Sequence, residues 1–226
     1  MSAAGFELPL FPLSSVLFPC GPLRLRIFEP RYVDMVKRCM REGSCFGVVL
    51  LQGGGETGPI DGIAAIGTTA RIVDFNLLPD GLLGLTCRGE RRFRVRRCWR
   101  QEDGLNMGEA EWLEDAVPRV VPVPAEHRHL ADVLRRVLPE LGEVYTGIEP
   151  RFNDAAWVGG RLVEILPIAL GDKQAGLEMD DPLERLAAVS PIIRRPEDPS
   201  DAGLRRPRGR GLGWCGVRRS GAPPRR

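Results

Sequence analysis

A chain of 226 residues with 43% apolar and 27% charged side chains has room for one large domain or two small ones, either with a real core. No apolar run approaches the roughly 20 residues that span a bilayer, and the N-terminus lacks the basic start and apolar stretch of a secretory signal, so a cytoplasmic location and no membrane partner are expected. The net charge of +2 is uneven: residues 194–226 hold ten arginines against three acids, which leaves the first 193 residues net acidic.

Residues 6–13 predict a short strand. Pro9 and Pro12 remove backbone donors, so it should lie at an edge or carry a bulge. Leu23, Leu25 and Ile27 alternate with Arg24 and Arg26, the pattern of a half-buried strand over 22–27. Pro30 suits the first turn of a helix over about 30–42, with Tyr32, Met35, Val36, Cys39 and Met40 as its apolar stripe and Gly43 as its stop. Phe46 to Leu51 is a short apolar run suited to a strand buried on both faces. Gln52 to Gly62 reads as a flexible glycine-rich loop, and Ile63 to Asn76 as the next strand. Pro79-Asp80-Gly81 makes a turn, because proline presets φ and glycine accepts a positive φ. Leu83, Leu85 and Cys87 alternate on one strand, and Phe93, Val95 and Trp99 line the next with Arg92, Arg94 and Arg96 opposite. A last strand runs over about 107–114. Six or so short strands, tight turns and one early helix predict a small, mostly antiparallel barrel.

Beyond Pro118, Pro122 and Pro124 the pattern turns helical. A helix over 126–143 carries Leu130, Leu134 and Leu138, and Pro139 should kink or shorten it. Asn153 or Asp154 can cap a helix with Trp157 and Leu162, Asp172 can cap a short one through Leu177, and Asp181-Pro182 starts another. Residues 195–226 are rich in Pro, Gly, Arg and Ser, with Trp214-Cys215 their notable apolar pair, and read as disordered.

Motifs for chemistry are weak. Six cysteines form no C-x-x-C pair and read as reduced core residues. His127 and His129, two apart on a helix, point about 200° apart and cannot share a metal. Gly53-Gly54-Gly55 has no lysine or Gly-x-Gly-x-x-Gly context for phosphate. Arg91, Arg92, Arg94, Arg96 and Arg97 could form a nucleic-acid stripe, but no aromatic residues interleave on that face and the acidic body repels phosphate. A solvent-facing strand is the better reading of them.

Taken together, Leu8-Pro9-Leu10-Phe11-Pro12-Leu13, Phe28-Glu29-Pro30-Arg31-Tyr32, Phe46-Gly47-Val48-Val49, Ile66-Gly67-Thr68-Thr69-Ala70-Arg71-Ile72, Leu78-Pro79-Asp80-Gly81 and Gly89-Glu90-Arg91-Arg92-Phe93 resemble the Lon substrate-binding domain. With Trp157, Arg161-Leu162 and Asp181-Pro182-Leu183-Glu184-Arg185-Leu186, the resemblance extends to about residue 193. It implies an α+β fold: a PUA-like, mostly antiparallel β pseudo-barrel with one early helix over 1–117 and a C-terminal helical bundle over 118–193, beyond which composition alone gives a disordered Arg/Pro/Gly-rich tail over 194–226.

The resemblance further implies binding of unfolded or exposed polypeptide segments, as an adaptor or regulator, by shallow apolar contact or by strand addition at a barrel edge. Lon hydrolyses ATP through a G-x-x-x-x-G-K-[ST] loop and cleaves with a serine activated by lysine. The two lysines here, Lys37 and Lys173, stand in neither setting, so the reading is non-enzymatic, with no catalytic residue, cofactor or metal. The alternative is RNA binding through the PUA-like barrel; otherwise nucleic acid is expected only weakly, through the basic tail. The strand-to-helix junction at Phe28, Glu29, Arg31 and Tyr32 is the candidate border of a peptide groove; its structural reading has Glu29 capping or charging the helix and Tyr32 packing inward.

Overall fold

The computed structural model describes residues 5–54, 60–113 and 120–193. The predicted tail, the Trp214-Cys215 pair and the centre of the glycine-rich loop lie outside the described residues. Among the described residues seven strands and five α-helices follow in order: β1 (Phe6–Leu13), β2 (Pro22–Ile27), α1 (Pro30–Glu42), β3 (Phe46–Gly54), β4 (Ile60–Ile63), β5 (Ile66–Leu77), β6 (Leu83–Arg100), β7 (Asn106–Trp112), α2 (Arg128–Val137), a 3-10 stretch (Leu138–Tyr145), α3 (Ala155–Ile165), α4 (Leu170–Glu178) and α5 (Pro182–Val189).

The sheet runs β1-β7-β6-β5-β3 and closes on itself, because β1 also pairs with β3. All pairings are antiparallel except β1 with β3. The edge position expected for β1 is therefore not what forms. Its first half, Phe6 to Leu10, pairs with β7, and its second half, Leu10 to Leu13, pairs with β3. Backbone N–H groups alternate between the two edges of a strand. Pro9 and Pro12 are an odd number apart, so their nitrogens face opposite edges. Each is flanked by a strand on one side only, which lets its missing donor face the empty side.

The extended forms differ from the sequence reading in three further ways. β6 is one continuous strand, where two were expected, and it carries register shifts at its pairings with β5 and β7. The 52–62 loop is in part a hairpin, since β3 continues to Gly54 and β4 begins at Ile60. Ala64 and Ala65 break the expected 63–76 strand into β4 and β5.

Three apolar clusters fill the body. Leu8, Leu10, Val49, Phe93 and Ala110 occupy the barrel interior. The space is tight enough that a Cβ on Gly67 would overlap the Val48 carbonyl and press on Phe93. A second cluster packs α1 through Tyr32, Met35, Val36 and Cys39 against Phe11, Ile27, Phe46, Leu85 and Cys87. Met40, expected in the same stripe, is exposed instead. Pro30 opens α1, and Gly43 closes it at φ 62 with its N–H on the Cys39 carbonyl. A third cluster joins Phe18, Leu50 and Ile66 to Leu130, Leu134, Trp157, Val158, Leu162, Leu177 and Leu186.

In the helical part, Pro139 shortens the predicted helix: α2 ends at Val137 and a 3-10 stretch follows. Asp154 caps α3 by accepting from the Ala156 N–H, and Asp181 caps α5 by accepting from the Leu183 N–H. Asp172 is not a cap; α4 starts two residues earlier, with Ala169 at the cap position and Asp172 in its first turn. Of the described cysteines, Cys39 and Cys87 are buried as expected, and burial pushes the Cys87 thiol up to about 12. Cys98 is exposed, contrary to the core reading.

Two buried arginines bind the helices to the barrel. Arg92 of β6, expected on the solvent face, is 3% exposed; it donates to the Leu177 and Met179 carbonyls at the end of α4 and pairs with Asp180 at 2.9 Å. A cation at a helix C-terminus satisfies orphan carbonyls and complements the helix dipole. Arg161 of α3 is fully buried; its Nη2 donates to the Pro19 carbonyl at 3.0 Å and meets Glu164 at 2.9 Å. Tyr145 donates to the same carboxylate at 2.7 Å, and Lys173 donates to the Glu164 carbonyl at 2.7 Å. Pro19 belongs to a tight turn in which Cys20 takes φ 60, a left-handed value unusual outside glycine.

Desolvation outweighs the Arg161 charge and raises the Glu164 carboxyl above its usual range. An acid raised on folding makes stability fall as pH climbs from the ordinary carboxylate range to the raised value. Replacing Arg161 by Met removes the compensating charge and should cost about 3–5 kcal/mol at neutral pH. The loss should shrink as pH falls and Glu164 takes up its proton; urea unfolding of Arg161→Met at pH 5 and pH 8 measures both.

Candidate functional site

Past Ile72, β5 leaves the barrel. It pairs with β3 only through Thr68, Thr69 and Ala70, while its ladder with β6 continues to Leu77. β2 lies on the other side of β6, so β2, the start of β6 and the end of β5 form a three-stranded wing. The turn at its tip forms as the sequence predicts. Gly81 adopts φ 80, the Gly81 N–H meets the Leu78 carbonyl, and the Leu78 N–H reaches the Leu82 carbonyl at 2.8 Å.

Register gives the wing two chemically distinct faces. Residues directly paired across a sheet share a face. Leu25, Leu85 and Phe75 therefore form one row, and Ile27, Leu83 and Leu77 the next. Ile27 and Leu85 are buried in the cluster with α1, and the rows end in the open: Phe75 is 53% and Leu77 76% exposed. Val73, set off by a register shift between Ile72 and Asp74, is also exposed. The opposite face carries Arg24, Thr86 and Asp74 in one row and Arg26, Gly84 and Asn76 in another. It lines a cleft of about 760 Å³ that also includes Asp80 and Glu143. Arg26 pairs with Asp80, and Arg24 lies 3.9 Å from Glu143, so the cleft's cations already face carboxylates.

The structure distributes the junction residues unequally. Phe28 follows β2 and is 59% exposed. Glu29 stands at the cap position of α1 but makes no side-chain cap; its carboxylate instead meets Arg31 at 2.7 Å. Arg31 is buried, donates to the Gly104 carbonyl at 2.9 Å and lies over the Tyr32 ring. Tyr32 is buried and stacks on Phe11, centroids 4.1 Å apart, and its desolvated hydroxyl is raised above the usual tyrosine value. Three of the four residues thus join α1 to the barrel, and Phe28 is the one presented to solvent.

The arginine stripe is engaged within the fold. Besides Arg92, Arg94 and Arg96 reach Glu111 at 4.0 and 2.5 Å. Arg91 lies over Trp112 and Arg97 over Trp99, so aromatic rings do stand beside these guanidinium groups. The sequence reading missed this because a register shift between Val95 and Arg97 breaks the simple alternation. It also passed over Val73-Asp74-Phe75-Asn76-Leu77. That alternating run is visible in the sequence, but alternation alone reads as a buried face.

Comparison with known proteins places this architecture. Residues 7–195 match the family model of the ATP-dependent protease La (LON) substrate-binding domain. Lon protease 3 of Sorangium cellulosum is 26% identical over 196 residues, which is 82% of this chain and 23% of that protein. The Lon protease of Parabacteroides distasonis is 30% identical over 116 residues, covering 50% of this chain and 14% of its own. The chain spans about a quarter or less of the curated relatives it matches. Among solved structures, a Lon N-terminal domain protein from Xanthomonas campestris is 43% identical, with a TM-score of 0.66 over 80% of this chain and 95% of that one. The N-terminal domain of Mycobacterium avium complex Lon protease, 15% identical with a TM-score of 0.56, covers 81% of this chain and 96% of its own and shares the fold. Among the described residues no helix is long and apolar enough to cross a membrane.

Phe75 and Leu77 are the exposed ends of rows whose inner members carry the packing. Replacing both by serine should move the unfolding free energy by no more than about 1 kcal/mol, from about 0.5 kcal/mol for each surface change. Chemical denaturation of Phe75→Ser/Leu77→Ser against the parent chain checks this.

Proposed function

The chain belongs to the family of the ATP-dependent protease La (LON) substrate-binding domain, and on that premise we propose that it is a non-catalytic module that holds unfolded or exposed stretches of other polypeptides. The family match over residues 7–195 carries this reading. The 43% identity to the Lon N-terminal domain protein of Xanthomonas campestris, over 95% of that chain, supports the same reading. The wing adds a physical means. Phe75, Leu77 and Val73 offer apolar surface at the rim of a rigid sheet, and Phe28 adds another exposed ring close to its tip. Apolar contact of this kind suits partners defined by exposed hydrophobic segments and not by one sequence. The arginine stripe, with partners in Glu111, Asp180, Trp99 and Trp112, favours this reading over RNA binding.

Immobilised chain should capture reduced α-lactalbumin whose thiols are blocked as neutral carbamidomethyl groups and leave the native, disulfide-bonded protein in solution. Phe75→Ser/Leu77→Ser should lower that capture severalfold without loss of fold. Capture no better than that of a heat-disrupted sample overturns the proposal.

A further inference from the structure

The outer half of β5 has an open backbone edge as well as exposed side chains. From Asp74 to Leu77 it has a partner in β6 and none on its other side among the described residues. The direction of its backbone groups follows from the tip turn. The Leu78 N–H points inward, to the Leu82 carbonyl. Alternation then turns the Asn76 N–H inward and the Phe75 and Leu77 N–H groups outward. Phe75 confirms the direction, because its N–H is held by the carboxylate of the neighbouring Asp74 at 2.9 Å. A side chain folded over its own edge is a guard against unwanted strand pairing. Asp74 has no cation within ion-pair distance among the described residues, whereas the other acids of the cleft, Asp80 and Glu143, face Arg26 and Arg24.

We propose that the β5 edge over Asp74–Leu77 receives an extended polypeptide segment as an added strand, one that alternates apolar with basic residues, and that Asp74 is both the guard of this edge and its selector for positive charge. The inference rests on the polypeptide-binding reading above and specifies the segment. A strand added about 4.8 Å beyond β5 would continue the rows of the wing. Its apolar side chains would lie beside Phe75 and Leu77, extending the Leu25–Leu85 and Ile27–Leu83 rows outward. Its alternate residues would lie on the face of Asp74 and Asn76. Among the described residues Asp74 is the charge there without an ion-pair partner, so lysine or arginine is favoured and glutamate repelled. To form the ladder the incoming carbonyl takes the Phe75 N–H from the Asp74 carboxylate, which then turns to the incoming cation.

The test uses fluorescence anisotropy with short labelled peptides and the intact chain. A peptide alternating Val and Lys should bind about tenfold more tightly than one alternating Val and Glu, a difference that narrows with salt. Asp74→Ala should remove most of that preference and strengthen binding of a neutral Val/Ser peptide. N-methylation of the alternate backbone nitrogens that would face β5 should abolish binding, whereas N-methylation of the other set should not. Leu77→Pro, which removes an outward donor and leaves the β6 ladder intact, should weaken binding in the same way. Indifference to N-methylation and to Leu77→Pro would overturn strand addition even if unfolded α-lactalbumin is still captured; the family reading would then stand without this edge. Loss of α-lactalbumin capture together with all peptide binding would remove both. If Leu77→Pro instead dissolves a concentration-dependent dimer and leaves peptide binding unchanged, the edge pairs two copies of the chain and the inference falls.

Discussion

The structure depends on how one strand is shared. β1 lends its first half to β7 and its second half to β3, and this alone turns a curved sheet into a ring. Closure pairs most of the ladder within the ring. Beyond the ring, open edges among the described strands remain on β2, β4, the end of β6 and the outer half of β5. Of these, β2 is flanked by Pro22, Arg24 and Arg26, residues that discourage pairing, and β5 carries Val73, Phe75 and Leu77. Closure at one end of the chain thus selects where an open apolar edge can survive.

The wing can be such an edge only if its base is stiff. Two features supply that. α1 packs Tyr32, Met35, Val36 and Cys39 under the inner ends of the wing's rows, and the Glu29–Arg31–Gly104 contacts hold its first turn. On the far side, Arg92 and Arg161 carry the helices. Each guanidinium reaches backbone carbonyls of the other part: Arg92 from barrel to α4, Arg161 from α3 to the Pro19 turn. Buried ion pairs of this kind add little net stability, because desolvation offsets their attraction. What they supply is direction, since a planar fork accepts few orientations of its partners. The raised Glu164 carboxyl is the trace of that desolvation.

Much of this was legible in the chain because local rules and tertiary packing agree. Proline at the start of α1, glycine at its end, the Leu78 to Leu82 turn and the Asp181-Pro182 start all form as their chemistry dictates. The failures share one cause: a partner distant in sequence. Arg92 sits in an exposed-looking run, and only the arrival of α4 makes it a buried cap. Pro9 and Pro12 look like edge residues until β7 and β3 divide the strand between them. At the junction, Tyr32 packs inward on Phe11 as its apolar ring predicts, and the Arg31 contact with Gly104 comes from a residue far along the chain. The wing was hidden for the opposite reason. Val73 to Leu77 has the alternation of an ordinary half-buried strand, and nothing local says that β3 ends its pairing at Ala70.

An exposed apolar edge must avoid pairing with its own kind, and Asp74 meets that constraint. Exchanging the Phe75 N–H from the Asp74 carboxylate to an incoming carbonyl trades a charge-assisted hydrogen bond for a weaker neutral one, a loss offset only when a cation on the segment takes up the freed carboxylate. The net gain must then come from cross-strand pairs, worth roughly 0.2–1 kcal/mol each. The register shift at Val73 limits the ladder to Asp74–Leu77, so few pairs can form. A segment with one apolar residue gains too little, whereas one that matches both rows and answers the Asp74 charge gains enough for weak, reversible retention. A second copy of the same edge brings Asp74 instead of a cation, and its own guarded Phe75 N–H must be released as well. The guard thus sets a threshold that separates a complementary segment from the protein itself, with the side chain that blocks the edge also choosing what opens it.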